Sequence, residues 1–354
     1  YIYYVFFISF FVNYPLPLND AGTDIAVDAA GNAYLVGQTS SLDFPGTAGV
    51  SAGGNSDIFV AKLNSDGSLA YTTYLGGSGS DWGTGIAVNA TGQVYISGRT
   101  DSADLATTPD AFQRIYGGGT QDGLFFTLSA DGRRLDYASY FGGTGDDSAA
   151  GFATDDNGNA YITGQTTSTD FETRNALQAT YGGNQDAFFV KVDAVGGLVS
   201  ATYLGGSGSD RATDIAVDSS GRAYLTGATN SSDFTTVNAR QSTYGGGDSD
   251  AFLAQFGESD ATSLAFATYL GGSGDETGLG IAVDAASKAY VTGRSSSTDW
   301  QTVNALQASY GGGASDAFVT KYSAGGSEQL YSTYLGGSGD EAGEDIAVDI
   351  IGSA

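Results

Sequence analysis

Short apolar runs separated by polar turns recur along most of the chain. In one unit they lie at residues 24–28, 33–37, 57–62 and 69–75. These runs have the length of strands, are rich in β-branched and aromatic residues, and lack the spacing of an amphipathic helix. The pattern therefore predicts four short strands per unit.

The unit repeats at a nearly constant period. Its marker is an aromatic residue followed by a glycine pair and a short acidic segment, beginning at Tyr74, Tyr140, Tyr203, Tyr269 and Tyr334. The successive spacings are 66, 63, 66 and 65 residues, which indicates a repeat architecture. Four strands and a glycine-rich exit are typical of one propeller blade. The sequence thus predicts an all-β protein, a β-propeller with five complete repeats over residues 24–335 and fragments of a sixth at the two termini.

Glycines fall where the predicted blades need unusual backbone angles. Gly31 lies in the turn between the first and second strands, where a positive φ suits a hairpin. The equivalent turn at residues 284–287 has no glycine. Pairs such as Gly76-Gly77 are expected where the outer strand leaves one blade for the centre of the next.

The two ends of the chain depart from the repeat, and we divide the sequence into residues 1–19 and the repeat domain, residues 20–354. β-branched and aromatic residues dominate residues 1–14, which favours a strand over a short helix. This segment occupies the place of a fourth strand, and residues 345–349 that of a first. Both ends are therefore predicted to hold pieces of an unfinished sixth blade.

The amino-acid composition argues against some classes of partner and some kinds of catalytic or metal-binding chemistry. The chain has 40 acidic and 13 basic residues, a net charge of −27, which argues against nucleic acid and anionic membranes as partners. It has no Cys and no His, and no apolar run approaches the roughly 20 residues of a membrane span. No motif breaks the repeat as a catalytic site would, so we expect no enzymatic activity.

Acidic residues cluster at the crossings between blades. Calcium binds six to eight oxygen ligands, so a ring of carboxylates on one face is a candidate structural Ca²⁺ site. The alternative is that these residues cap turns and keep the surface soluble. The candidate ligands are Asp81, Asp146, Asp147, Asp210, Asp214, Asp275, Glu276, Asp340 and Glu341.

The long connection between the second and third strands is also patterned. It reads Asp170-Phe171 through Asn175-Ala-Leu-Gln178 to Tyr181-Gly-Gly183 in one unit and recurs in others. The Asn-Ala-x-Gln piece is predicted to form a helical turn that packs its aromatic neighbour. Exposed aromatic residues beside Asn, Gln and Asp would alternatively suit sugar recognition.

Together these signatures resemble the bacterial SBBP repeat, the "seven-bladed β-propeller" repeat. They comprise residues 214–227, the Asp-Phe to Tyr-Gly-Gly connection, Asp250-Ala-Phe252 and residues 269–274. The resemblance implies a propeller in exported or surface proteins of bacteria and some archaea, often beside adhesive modules. It implies no catalytic residues, and this chain differs in having five full units.

We therefore expect an extracellular or cell-surface structural protein that assembles with copies of itself, head to tail, into filaments or a surface layer. An open blade edge is a template for strand addition. The alternative is a monomeric module that binds glycans or proteins, with Trp82 or Trp300 in its site. The residues expected to donate the assembly strand are Tyr1, Ile2, Tyr3, Tyr4, Val5, Phe6, Phe7, Ile8, Phe10, Phe11 and Val12.

Overall fold

The computed structural model describes residues 20–41, 53–257, 261–349 and 352–354. In this part of the chain all regular structure is β, arranged as antiparallel sheets of four strands in chain order.

Blade 1 contains β1 (Asp20–Val27), β2 (Ala33–Thr39), β3 (Asp57–Leu63) and β4 (Leu69–Leu75). Blade 2 contains β5 (Asp81–Val88), β6 (Val94–Thr100), β7 (Asp122–Leu128) and β8 (Leu135–Phe141). Blade 3 contains β9 (Asp147–Thr154), β10 (Ala160–Thr166), β11 (Asp186–Val192) and β12 (Leu198–Leu204). Blade 4 contains β13 (Asp210–Val217), β14 (Ala223–Thr229), β15 (Asp250–Phe256) and β16 (Leu264–Leu270). Blade 5 contains β17 (Glu276–Val283), β18 (Ala289–Ser295), β19 (Asp316–Tyr322) and β20 (Gln329–Leu335).

The blades stack face to face around their first strands. From blade 2 onward, each first strand packs against the first, second and third strands of the preceding blade. Successive first strands therefore lie together at the centre and fourth strands lie at the rim. This confirms the predicted β-propeller of four-stranded blades. In the described residues β1 has no preceding blade to pack against, so five blades leave one sector open.

The first strands begin earlier than the sequence predicted. We expected the strand at Asp24, whereas β1 begins at Asp20 and β5 begins at Asp81. The β1–β2 register shifts between Gly22 and Asp24, which marks a bulge at Thr23. A bulge interrupts the alternation of inward and outward side chains on which strand prediction depends. As a result, the acidic residue that the sequence pattern placed in the crossing is in fact the first residue of the strand.

The hairpin turns confirm the prediction. Gly31 has a φ of 81°. Where the turn lacks glycine, Ser287 adopts a φ of 60°. The predicted helical turn in the long connection is wrong, because Asn175 has a φ of 46°. The flanking residues instead bridge to the outer strand of the same blade, at Arg174 to Ala201 and Gln178 to Tyr203.

The hydrophobic core lies between the blades. Ile86 of β5 packs with Val36 and Ile58 of blade 1, and each is at most 5 % exposed. Burying one such side chain stabilises the fold by about 1.5–3 kcal/mol relative to leaving it in water. Along the described ranges, no helix has the length and apolarity needed to cross a membrane.

Candidate functional site

From blade 2 onward, the first residue of each inner strand is an acid that accepts a hydrogen bond from the crossing before it, and we call this acid the anchor. Asp81 accepts hydrogen bonds from the Thr100 hydroxyl, the Ser102 hydroxyl (3.0 Å) and the Gly77 N–H (2.9 Å). In the next-but-one crossing Asp210 repeats this set with its own Thr, Ser and Gly. These carboxylates therefore join the glycine-rich crossing to the end of the second strand.

A second acid, the first residue of the third strand, faces each anchor across a glycine. Asp186 Oδ2 accepts the Gly182 N–H and the Gln178 amide, both at 2.9 Å, whereas its Oδ1 has no partner. A Cβ added at Gly205 would lie 2.8 Å from Asp186 Oδ1 and 2.7 Å from Asp210 Oδ2. We call this arrangement a carboxylate pair. The pairs are Asp57 with Asp81, Asp122 with Asp147, Asp186 with Asp210, and Asp250 with Glu276.

Burial changes the protonation of these pairs. It raises the pKa of Asp122 and Asp250 to about 7 and that of Asp57 and Asp186 to about 6, and the facing carboxylate adds to the rise. Because Asp122, Asp186 and Asp250 are fully buried, this chemistry is closed to an external substrate.

The predicted calcium ligands fall into separate sets. Asp81, Asp147, Asp210 and Glu276 are the anchors just described, and Glu341 occupies the same repeat position. Asp146, Asp275 and Asp340 lie one residue earlier and accept backbone N–H groups from a neighbouring loop. Within the described ranges no group of three or more acidic side chains is arranged to hold a metal ion. The calcium site stays a prediction.

Asp214 belongs to a third set, which lies along the central strands. It accepts the Ile215 and Ile281 N–H groups, both at 2.8 Å, and so ties blade 4 to blade 5. Asp24 makes the same two bonds between blades 1 and 2. Burial, with the charges of Asp345 and Asp24, raises the pKa of Asp214 to about 7. The sequence did not reveal this pairing of neighbouring strands.

The two tryptophans differ in accessibility. Trp300 is 5 % exposed and packs on Phe318, with ring centroids 4.6 Å apart, so it cannot serve as a surface platform. Trp82 is half-buried, and the Arg99 guanidinium lies 4.6 Å from its ring centroid. Phe171, Phe234 and Trp300 are buried, which confirms the predicted packing of the aromatic residues in the connections and excludes the alternative of exposed sugar-binding rings at these positions.

The open sector is the feature that departs from the repeat. On its blade 1 wall, Ile25 is 52 % exposed, whereas its equivalents Ile86, Ile215 and Ile281 are at most 5 % exposed. On its blade 5 wall, Leu335 is 40 % exposed, whereas the last residues of β4, β8, β12 and β16 are at most 2 % exposed. Both walls thus present apolar side chains that the other junctions cover.

Residues 341–349 lie along the blade 5 wall as the first strand of a sixth blade would. The Gly343 N–H donates to the Gly293 carbonyl at 3.0 Å, and the Tyr290 hydroxyl donates to the Gly352 carbonyl at 2.7 Å. No strand in the described ranges pairs with this segment. Among the described residues its outer backbone edge is therefore unpaired.

The donor segment predicted for assembly, residues 1–12, lies outside the described residues. The rest of the predicted N-terminal unit, residues 13–19, also lies outside the described residues.

Comparison with known proteins supports the repeat assignment. The family described as "SBBP: Beta-propeller repeat" matches residues 70–106, 136–172 and 201–235, so the chain contains SBBP repeats. No curated protein matches the sequence.

Solved structures resemble the chain only distantly. BamB from Moraxella catarrhalis has 13% identity and a TM-score of 0.39, covering 88% of this chain and 64% of its own. A Synechocystis apocarotenoid oxygenase has 10% identity and a TM-score of 0.46, covering 92% and 64%. An acylaminoacyl peptidase from Pyrococcus horikoshii has 7% identity and a TM-score of 0.43, covering 88% and 39%. The chain thus spans less than two thirds of these structures, and likenesses this weak say nothing about its function.

Proposed function

We propose that this protein is a non-enzymatic structural propeller of the cell exterior that assembles with copies of itself through its open sector. The observation that carries the proposal is the exposure of Ile25, whose isoleucine equivalents Ile86, Ile215 and Ile281 are buried where a preceding blade is present. An apolar face of this kind beside an extended segment whose backbone edge has no described partner favours strand addition from a neighbour. The extracellular location rests on the resemblance to SBBP repeats.

The occupant that we propose is the N-terminal segment of a second copy. Residues 1–14 are almost entirely apolar and aromatic, which complements the walls of the sector. A strand rises about 3.3 Å per residue, so this segment would extend roughly 46 Å, well beyond one blade strand. Donation from each copy to the next is a head-to-tail contact, and it yields filaments when the rotation does not close.

The test is to remove residues 1–14 and measure the assembly state by light scattering and negative-stain electron microscopy. We expect the full chain to form filaments or sheets and the truncated chain to stay monomeric. A second variant, Ile25→Ser, should also weaken assembly. Its matched control is Leu69→Ser, which changes a partly exposed leucine away from the sector's central strand. Equal assembly of the full and truncated chains would contradict the proposal.

The predicted structural calcium can be tested on the same material. If Ca²⁺ supports the crossings, chelation should dissolve the assemblies and added Ca²⁺ should restore them. If chelation leaves the assemblies unchanged, the acidic residues of the crossings act only as hydrogen-bond acceptors and the predicted calcium site is wrong.

The alternative is a monomeric surface module that binds a glycan or another protein. Trp82 favours it, because a partly exposed indole beside Arg99 suits both stacking and hydrogen bonding. Isolated rings by microscopy, together with glycan binding that Trp82→Ala abolishes, would replace the assembly proposal with this one.

A further inference from the structure

Two segments of the chain carry nearly the same central-strand sequence. β1 reads Asp-Ala-Gly-Thr-Asp-Ile-Ala-Val, and residues 341–348 read Glu-Ala-Gly-Glu-Asp-Ile-Ala-Val. The identical positions include those that the fold uses, Asp24 with Asp345 and Ile25 with Ile346. The acids at the first position are interchangeable, because Glu276 makes the anchor bonds in blade 5. Residues 341–348 therefore match β2 as a partner almost as well as β1 does.

The crossing before residues 341–348 has donors that the other crossings use. In the first crossing the Ser78 N–H donates to Asp104 and the Gly79 N–H donates to the Ser102 hydroxyl, both at 2.8 Å. Both acceptors belong to the blade that follows. The equivalent donors, Ser338 and Gly339, are exposed, because the described residues supply no second strand after them. This crossing lacks the blade that would complete it.

Blade 1 has the opposite deficiency. Residues 13–19, which precede β1, contain no glycine and no serine, so they cannot form the Gly-Gly-Ser-Gly crossing. β1 is also more exposed than the other central strands, as Ile25 and Val27 show. Little burial is lost when β1 leaves blade 1.

We propose that residues 341–348 of one copy replace β1 in a second copy and pair with its β2. The glycine-rich crossing before residue 341 then connects blade 5 of the first copy with blade 1 of the second. The inference rests on the proposed self-assembly and names its joint. It also frees β1 and the residues before it, which N-terminal strand donation requires.

We place the exchange between copies because the proposed function joins copies. The charge of Asp345 is felt at Asp24, where it contributes to a raised pKa, so both strands border the same channel. Exchange of either kind must break the pairing of β1 with β2 and the contacts of residues 341–349 with blade 5. One bond set is lost on exchange: Thr23 donates to Val36 and Gly83, and Glu344 at that position cannot.

Cysteine cross-linking of the full chain tests the joint, since the chain has no cysteine of its own. Ala21 pairs with Gln38 across β1 and β2, and Ala342 takes the place of Ala21 after exchange. Antiparallel partners lie close enough for a disulfide. In the variant Gln38→Cys with Ala342→Cys, mild oxidation should give a ladder of covalent dimers and larger species. The control, Ala21→Cys with Gln38→Cys, should give a monomeric cross-link from chains that have not exchanged.

A mixing experiment removes dependence on one doubly substituted chain. Gln38→Cys and Ala342→Cys single variants of different mass are combined and oxidised, and a mixed dimer is expected. Filaments that form without any such cross-link would overturn the strand replacement and leave self-assembly standing. A cross-link confined to monomers would also overturn it, because the exchange would then lie within one chain. Loss of all assembly in the unmodified chain would instead refute the proposed function.

Discussion

The carboxylate pairs make a prediction that can be worked through in numbers, and Asp122→Asn is the sharpest test of it. Asp122 is fully buried, its Oδ1 has no partner, and no cation neutralises it. Asparagine has nearly the same shape but stays neutral. Its amide can donate towards Asp147, so the substitution should remove the repulsion while keeping the packing.

The sign and the size follow from the pKa of Asp122, which burial raises from 3.8 to about 7. A raised pKa means that the folded state favours the neutral acid. This stability is fully present below about pH 4 and is lost as the pH rises to about 7. Each pH unit within that window costs about 1.4 kcal/mol, so the unmodified chain should lose about 2–3 kcal/mol from this group between pH 5 and pH 7. Asp122→Asn should lose none of it.

Urea unfolding followed by intrinsic fluorescence, at pH 5 and pH 8, measures the difference. We expect the variant to be close to the unmodified chain at pH 5 and more stable at pH 8. Asp156→Asn is the matched control, because it removes the same charge from an exposed position. The reasoning is refuted if Asp122→Asn shifts stability equally at both pH values, or destabilises the fold at pH 8.

Two further predictions concern the same crossings. Gly205→Ala should lower the free energy of unfolding by about 2 kcal/mol or more, because the added Cβ would press on both acids of the carboxylate pair. The control is Gly325→Ala, because nothing lies within 4 Å of a Cβ added there. In thermal unfolding the control should be nearly as stable as the unmodified chain. The whole chain should be most stable near pH 4. Acids such as Asp57 and Asp250, whose pKa values are raised, destabilise the folded state as the pH rises from about 4 to about 7. Acids such as Asp170 and Asp233, whose pKa values are lowered by backbone N–H donors, destabilise the folded state as the pH falls below about 4. A melting temperature that is highest at pH 8 would contradict this prediction.

The fold could be predicted from the sequence because each blade repeats the same local signals. The hairpin at Gly31 and the exit at Gly76 are determined by backbone angles that few residues other than glycine adopt. The start of β1 could not be predicted, because the bulge at Thr23 reverses the alternation of side chains. The helical turn in the long connection was also predicted wrongly. Asn175 adopts a left-handed backbone angle, which asparagine tolerates and which a right-handed helical turn excludes.

The candidate site was only partly visible in the sequence. The repeated acids drew attention to the crossings, but their partners lie far away in the chain, as Asp81 with Ser102 and Asp186 with Asp210 show. Sequence spacing does not reveal which acids are buried together, and burial determines whether they hold a proton or contact water. The open sector was foreseen from the two incomplete ends, whereas the exposure of Ile25 required the structure.

The bonds at each crossing also determine how the molecule unfolds. Because Ser78 and Gly79 depend on acceptors in the following blade, the unit of cooperativity is the junction between two blades. Blade 1 has one complete junction, whereas blade 3 has one on each side. Hydrogen exchange should therefore be slowest in the middle of the array, with fraying spreading from the ends. Adding or deleting one whole unit leaves every remaining junction intact, so the array can change length in steps of one unit without altering the chemistry that links its blades.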